Sequence, residues 1–230
     1  MHSNSPGVKV SNRNVVFSKF YSQWNCDLNI GLILGQNRNF IIDTGVGSDS
    51  VAPLIEFLKS DAKPIVVINT HSHYDHVWGN FMFKDSLIIA HVKCMEYLEK
   101  SWDDDIKKYG DMIEGSTQKC LPNMTFDGVL NFNDEGISIF NSPGHAIDGI
   151  SIYDSIDKVL YAGDEIGDTD DDIVPQIHTS PEIFQKTIDM FKTIDFDICI
   201  SGHNKPQKRD VLFRMEAALA DSWKKQNEMR

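Results

Sequence analysis

Apolar residues along this chain come in short bursts separated by turn-forming residues, and the bursts fall into two similar halves. In the first half, VVFSKFY (15–21) alternates as a half-buried strand and LNIGLILG (28–35) reads as a buried one. NFIID (39–43) runs into the turn TGVG. SDSVAPLIEFLKS (48–60) places Val51, Leu54, Ile55 and Leu58 at helical spacing behind an N-capping Ser or Asp. PIVVINT (64–70) is a continuous apolar strand, SLIIA (86–90) is another, and HVKCMEYLEK (91–100) turns helical.

The second half repeats this grammar. Strands are predicted at 137–141, 150–154, 159–162 and 197–201. A helix is predicted at 181–193, with Ser180 or Thr179 as cap and Pro181 in its first turn. A final helix over about 207–225 carries Val211, Leu212, Met215, Leu219 and Trp223 on one face. Two runs of strands, each closed by helices, predict an α+β fold: two sheets face to face with helices outside, a four-layer αββα sandwich in one domain spanning 1–230. One stretch breaks the rhythm. Residues 92–129, with Trp102, the acid run Asp103–Asp105, Tyr109, Met112 and Met124, read equally as a solvated helical excursion and as a helical lid over a pocket.

Composition narrows the classes. With 230 residues and 41% hydrophobic content the chain can bury a full core, and no run of about 18 apolar residues is available to span a membrane. The net charge of −12 disfavours a nucleic-acid backbone or an anionic membrane as partner and leaves a small molecule as the expected one. The polar start MHSNSPGVKVSNRN lacks the apolar stretch of a secretory signal. Cys26, Cys94, Cys120 and Cys199 show no CxxC spacing, and Cys26 and Cys199 are expected to be buried thiols. A reduced, cytoplasmic setting follows as the expectation.

Candidate chemistry concentrates where the apolar run PIVVINT ends, in HSHYDH. His71 and His73, two apart in an extended segment, project to one side and can chelate one ion, while Asp75 and His76 at the turn into a helix point elsewhere. Imidazole and carboxylate suit Zn²⁺, and also Fe or Mn. Two directions suggest two metals, which in a catalytic pair lie about 3.5–4 Å apart and need ligands from distant segments. SPGHAIDG offers His145, LYAGDE offers Asp164 and ISGHNKP offers His203, each just past an apolar run, as Asp43 stands in IIDTG. These strand ends are expected to converge on one rim, where Asp43 orients a ligand loop by hydrogen bonding. His2 is terminal, His91 is expected to cap or pack, and His178 sits in a loop that could reach the site. Asp168–Asp172 reads as a solvated loop, and Trp78 and Phe81 read as core.

The H-x-H-x-D-H run followed by PGH, AGD and a late GH resembles the metallo-β-lactamase superfamily, in its glyoxalase-II-like hydrolase branch, over nearly the whole chain. The resemblance implies His71, His73 and His145 on one metal, Asp75, His76 and His203 on a second, and Asp164 bridging both. It implies a metal-bridging hydroxide that cleaves a small-molecule ester, thioester, lactone or similar bond on two Zn²⁺, with Asp75 or water protonating the leaving group. Many members read PGHTPGH where this chain has PGHAIDGI, with Asp148-Gly149 in place of the second histidine, which points away from glyoxalase II itself. Zinc β-lactamases of the best-known type place a cysteine where Asp164 stands. Two alternatives share the motif: an oxidoreductase resembling mononuclear-iron persulfide dioxygenases, whose PGHTxGC pattern this chain lacks, and a non-catalytic metal-binding member, disfavoured because every ligand position is filled.

Overall fold

A computed structural model describes residues 7–228, with side chains described through residue 220, so His2 and the side chain of Trp223 lie outside it. Seven strands form a first sheet in chain order: β1 (Val8–Lys9), β2 (Asn14–Tyr21), β3 (Cys26–Leu34), β4 (Asn39–Ile42), β5 (Ile65–Ile68), β6 (Leu87–His91) and β7 (Met124–Phe126). The pairs are antiparallel through β4 and parallel from β4 to β7. Parallel neighbours need crossovers. These are α1 (Ser48–Leu58), the turn-rich segment holding α2 (Tyr74–Val77), and α3 (Val92–Tyr109).

The second sheet is also sequential: β8 (Val129–Phe132), β9 (Ile137–Asn141), β10 (Ile150–Asp154), β11 (Val159–Gly163), β12 (Ile198–Ser201) and β13 (Gln207–Lys208). Only β11 and β12 pair in parallel, joined through α4 (Pro181–Thr193); α5 (Val211–Glu228) follows β13.

The layering explains why the central strands are apolar on both faces. Phe40, Ile42, Val66, Ile68 and Ile89 point between the sheets and meet Ile139, Ile150, Ile152 and Tyr161. Their neighbours Ile41, Val67 and Ile88 point outward under Val51, Leu54 and Leu58 of α1. On the far side Leu160, Ala162 and Cys199 lie beneath Phe184, Ile188 and Phe191 of α4 and Val211, Leu212 and Met215 of α5. A strand covered on both faces has no polar side to alternate with. The expected alternation of β2 fails for this reason: Val15, Val16 and Phe17 are all buried, and Phe20 is 59% exposed. The result is the predicted αββα sandwich.

Four local expectations are corrected. Helix α1 is capped by no side chain; Ser48 N–H and Asp49 N–H instead donate to the Ser116 and Glu114 carbonyls. The last helix begins at Val211, because Gln207 and Lys208 pair as an edge strand with β12. Residues 92–129 are not a helical excursion throughout: after α3 the chain returns as β7, parallel to β6. Phe81 is only half-buried, and Phe83 takes the core position beside Val67 and Ile88.

Candidate metal centre

Strand direction brings the chemistry together. Strands β4 and β5 run in parallel, so Asp43 and the turn that begins at Asn69 leave the first sheet at one edge. In the second sheet β9 and β11 both oppose β10 and therefore run the same way, and β12 runs with β11. Their C-terminal ends deliver His145, Asp164 and His203. The two edges are stitched by backbone bonds, Ile150 N–H to the Thr70 carbonyl (2.9 Å) and Asn29 N–H to the Gly202 carbonyl (2.8 Å), while Thr44 N–H to the His76 carbonyl (2.8 Å) ties the exits of β4 and β5 within the first sheet.

The side chains on this edge form two groups, His71, His73, His145 and Asp164 in one and Asp75, His76 and His203 in the other, with ligand atoms in each within 4.8 Å of one another. His73 Nδ1 lies 2.9 Å from His71 Nε2 and 3.1 Å from His145 Nε2. Three nitrogens on a tetrahedral ion at about 2.0–2.1 Å would stand about 3.3 Å apart, close to this spacing. Asp75 Oδ2 lies 3.6 Å from His76 Nε2 and 3.2 Å from His203 Nε2. Asp164 Oδ2 lies between the groups, 3.7 Å from His71 Nε2 and His145 Nε2, 3.3 Å from His76 Nε2 and 3.2 Å from His203 Nε2.

The outer nitrogen of most rings is already engaged, which fixes the inner one as the free lone pair in the neutral ring. His76 Nδ1 donates to Asp43 Oδ2 at 2.8 Å, His203 Nδ1 to the Asp27 carbonyl at 2.9 Å, and His145 Nδ1 to the Gln176 carbonyl at 2.7 Å. His71 Nδ1 lies 3.1 Å from Thr70 Oγ1. Asp43 also accepts from Thr70 N–H and Thr70 Oγ1, both at 2.7 Å, so it ties the HSHYDH loop to the end of β4. The loop bearing His145 is held from beneath by Glu165, whose two carboxylate oxygens are each 3.1 Å from His145 N. Glycine is required at 202, where a Cβ would stand 2.2 Å from Asp164 Oδ1 and 2.7 Å from His76 Cε1.

Electrostatics splits the rings. Burial, then the neighbouring imidazoles, push His71 well below its ordinary value, and burial with His145 holds His73 at about 4. Burial opposes charge on His76 and His203 too, but Asp164 and Asp75 together, with Asp43 beside His76, outweigh it and raise both. Burial alone would raise the Asp75 carboxyl; His76 and His203 instead hold it at about 2. The same balance keeps Asp164 ionised. In this cluster the buried atoms His76 Nε2 and Asp164 Oδ1 have no hydrogen-bond partner. An unmet buried polar group costs about 1–3 kcal/mol, and a cation between these atoms would meet that need. The donor set therefore fits divalent metal.

Over the cluster opens a cavity of about 900 Å³, within the range of small-molecule sites. Its walls come from elements that carry no motif: Trp24 and Cys26 at the β2–β3 turn, Tyr97 and Tyr109 of α3, and Asp168 and His178 after Asp164. Cys26 is buried as expected, yet its sulfur stands 3.9 Å from His203 Nδ1. The His178 ring lies 5.2 Å from that of His145 and 5.8 Å from that of His73. His91, by contrast, caps α3 by accepting from Lys93 N–H, and Trp102 is buried against Trp78. Tyrosines at 97 and 109, twelve apart on one helix, are the single sequence signal that could have marked this wall.

A two-sheet sandwich with histidine and aspartate side chains gathered on its shared edge defines the metallo-β-lactamase class. The metallo-beta-lactamase superfamily profile matches residues 25–203, and the chain belongs to that superfamily. It is 29% identical over 178 residues to the acyl-coenzyme A thioesterase MBLAC2 of Homo sapiens, a match covering 65% of this chain and 62% of that protein. It is 25% identical over 153 residues to a probable metallo-hydrolase of Streptococcus pyogenes serotype M6, covering 60% and 64%. The chain thus spans less than two thirds of the length of these relatives. Among solved structures, TMB-1 superposes with a TM-score of 0.71 at 18% identity, covering 94% of this chain and 97% of that one. The DIM-1 metallo-beta-lactamase superposes with a TM-score of 0.72 at 16% identity, covering 92% and 94%. Among the described residues no helix is long and apolar enough to cross a membrane.

Proposed function

We propose that this chain is a divalent-metal-dependent hydrolase of an ester, thioester, lactone or similar bond in a small molecule, and that the two side-chain groups hold two cations. The observation that carries this reading is the position of Asp164: one carboxylate oxygen within 3.7 Å of four imidazole nitrogens that arrive from three segments. His71, His73 and His145 would hold the first cation, Asp75, His76 and His203 the second, and Asp164 both. Nitrogen and carboxylate donors of this kind favour Zn²⁺, with Fe or Mn as the other ions they accept. Bound there, such a pair supplies an activated water and a polarised carbonyl.

The chain's own residues do the rest. Asp43, the Asp27 carbonyl and the Gln176 carbonyl hold three rings in the tautomer that aims Nε2 inward. Asp75, kept ionised, can accept a proton but is a poor donor near neutrality. The leaving group therefore takes its proton from water at the open mouth of the cavity. Resemblance to a protein named as a thioesterase supports a thioester within the substrate range. The charge of −12 supports a small molecule over a nucleic acid or an anionic membrane, and four free cysteines support a reducing, cytoplasmic setting.

The test is metal analysis joined to turnover of chromogenic esters, thioesters and lactones. Two zinc ions per chain, activity abolished by chelation and restored by zinc, and loss of activity in Asp164→Ala are expected. Turnover indifferent to both chelation and Asp164→Ala would overturn the assignment.

A further inference from the structure

The cavity above the histidine cluster has a charge pattern that hydrolysis alone does not require. Its outer wall is one face of α3, where Tyr97, Ser101, Asp105 and Tyr109 follow at four-residue steps and all line the cavity. Aromatic faces crowd it: Tyr74 stacks on Tyr109 with ring centroids 4.4 Å apart, and Trp24 meets Tyr74 edge-on at 6.4 Å. Asp168 adds a second carboxylate at the lining. Among the described residues, no lysine or arginine lines the cavity.

Asp148 supplies the independent observation. It lines the cavity, is 2% exposed, and its Oδ2 has no hydrogen-bond partner. It belongs to neither metal-binding group. Burial raises its carboxyl above the ordinary value, although bonds from Ser72 and the nearby His91 oppose the rise. It stands where the commoner PGHTPGH pattern would carry no acid. A buried carboxylate with one oxygen unpartnered, aromatic faces nearby and no lysine or arginine in the lining together describe a receptor that lacks its positive charge.

We propose, resting on the hydrolytic reading above, that this cavity takes substrates bearing a compact ammonium group, paired with Asp148 and flanked by Asp105 and the Tyr74, Tyr109 and Trp24 rings. The same features oppose a polyphosphate carrier such as coenzyme A. Its phosphates would meet carboxylates rather than lysine or arginine, on a chain of net charge −12.

Three thioesters separate the outcomes on the zinc-loaded chain, with thiol release as the readout: acetylthiocholine, its neutral isostere 3,3-dimethylbutyl thioacetate, and acetyl-coenzyme A. The cationic ester is expected to exceed the neutral one about tenfold in kcat/KM, a gain of the size an ammonium draws from aromatic faces and a carboxylate. Acetyl-coenzyme A is expected last. Asp148→Asn should bring the cation-to-neutral ratio toward one, and Asp105→Asn, on a solvent-facing helix, should lower it partway. Calorimetric titration with choline supplies the arm that needs neither turnover nor the buried variant: saturable binding to the parent chain, weaker in Asp105→Asn, is expected. Equal cation and neutral rates, a preference for acetyl-coenzyme A, or no choline binding would overturn the proposal while zinc-dependent hydrolysis stood. Choline binding without zinc-dependent hydrolysis of any ester would sustain the cation site and sink the hydrolytic reading instead.

Discussion

Asp43→Asn isolates the role of one hydrogen bond in metal binding. Asp43 is 3% exposed and has φ +61°, a left-handed conformation that asparagine tolerates, so the backbone has no reason to move. Its Oδ1 accepts Thr70 N–H at 2.7 Å, and its Oδ2 accepts His76 Nδ1–H at 2.8 Å. An amide has one oxygen for these two donors. If the oxygen keeps Thr70, the NH₂ faces His76 Nδ1, and that ring must move its proton to Nε2. Nε2 is the atom 3.3 Å from Asp164 and without a partner, so the proton would cap the lone pair that a cation needs. If the amide flips, two donors oppose each other at Thr70 at a cost of about 1–3 kcal/mol.

Loss of such an outer hydrogen bond weakens metal affinity about 10- to 100-fold, equivalent to about 1.4–2.8 kcal/mol. The group containing His76 should feel it most, because Asp43 bonds that ring directly and reaches His71 only through Thr70 Oγ1. Competition against a chromophoric chelator would resolve the two equivalents: one weakened by that factor, the other by less. Nitrogen-15 shifts of His76 would report the tautomer directly. Two equivalents bound as tightly as in the parent chain would refute the reasoning from Asp43 to the cation.

Three further outcomes follow from packing and charge. Gly202→Ala should lower zinc content below two per chain while leaving the far-ultraviolet spectrum intact, since its Cβ would enter the space of Asp164 Oδ1 and His76; full zinc content would contradict this. Asp154→Ala should destabilise the chain by about 3–5 kcal/mol, because it strips the fully buried partner of Arg13, which Nε meets at 2.8 Å, and of Asn14 Nδ2, also at 2.8 Å. Thermal melts would show this, and unchanged turnover per folded molecule would separate it from the site. Burial would raise the Asp157 carboxyl, but bonds from Ser11, Arg13 N–H and Asn12 outweigh it and lower it. A depressed carboxyl stabilises the fold above its unfolded value of 3.8 and ceases to do so as pH falls through the folded one. Asp157→Asn should therefore be less stable than the parent near pH 7, with the gap closing in acid; a gap constant with pH would contradict the assignment.

Legibility of the fold tracked the strength of periodic signal. Strands β9 and β10 and helix α4 stand where the hydropathy pattern put them, and Ser180 Oγ accepts Ile183 N–H as the expected cap. Strands β1, β7, β8 and β13 carry two to four residues each and were not legible. An edge strand that short has no period of its own and is specified by the neighbour it pairs with. The cap of α1 was hidden for a related reason: its acceptors are carbonyls 68 and 65 residues downstream, at Ser116 and Glu114. At the site, clustered spacing announced His71 to His76, and shared order announced His145, Asp164 and His203. The walls had no such grammar. Asp148 and His178 drew notice in sequence, the one by replacing a motif residue and the other by its loop, but Trp24 and Cys26 look ordinary there, and all four line one cavity only when the sheet edges meet.

That division has a physical basis. The candidate ligands hang from strand ends whose register fixes them. A bulge between Tyr161 and Gly163 sets the exit of Asp164, and a one-residue slip in β11 would turn that carboxylate away from all four imidazoles. The cavity wall hangs instead from one face of α3, whose opposite face buries Cys94, Leu98 and Trp102. Side chains at 97, 101, 105 and 109 can change without disturbing that packing or any strand register. The candidate ligand set and the cavity wall are therefore separable in this molecule. A chain close in fold to the DIM-1 metallo-beta-lactamase and closer in sequence to a thioesterase need share its substrate with neither.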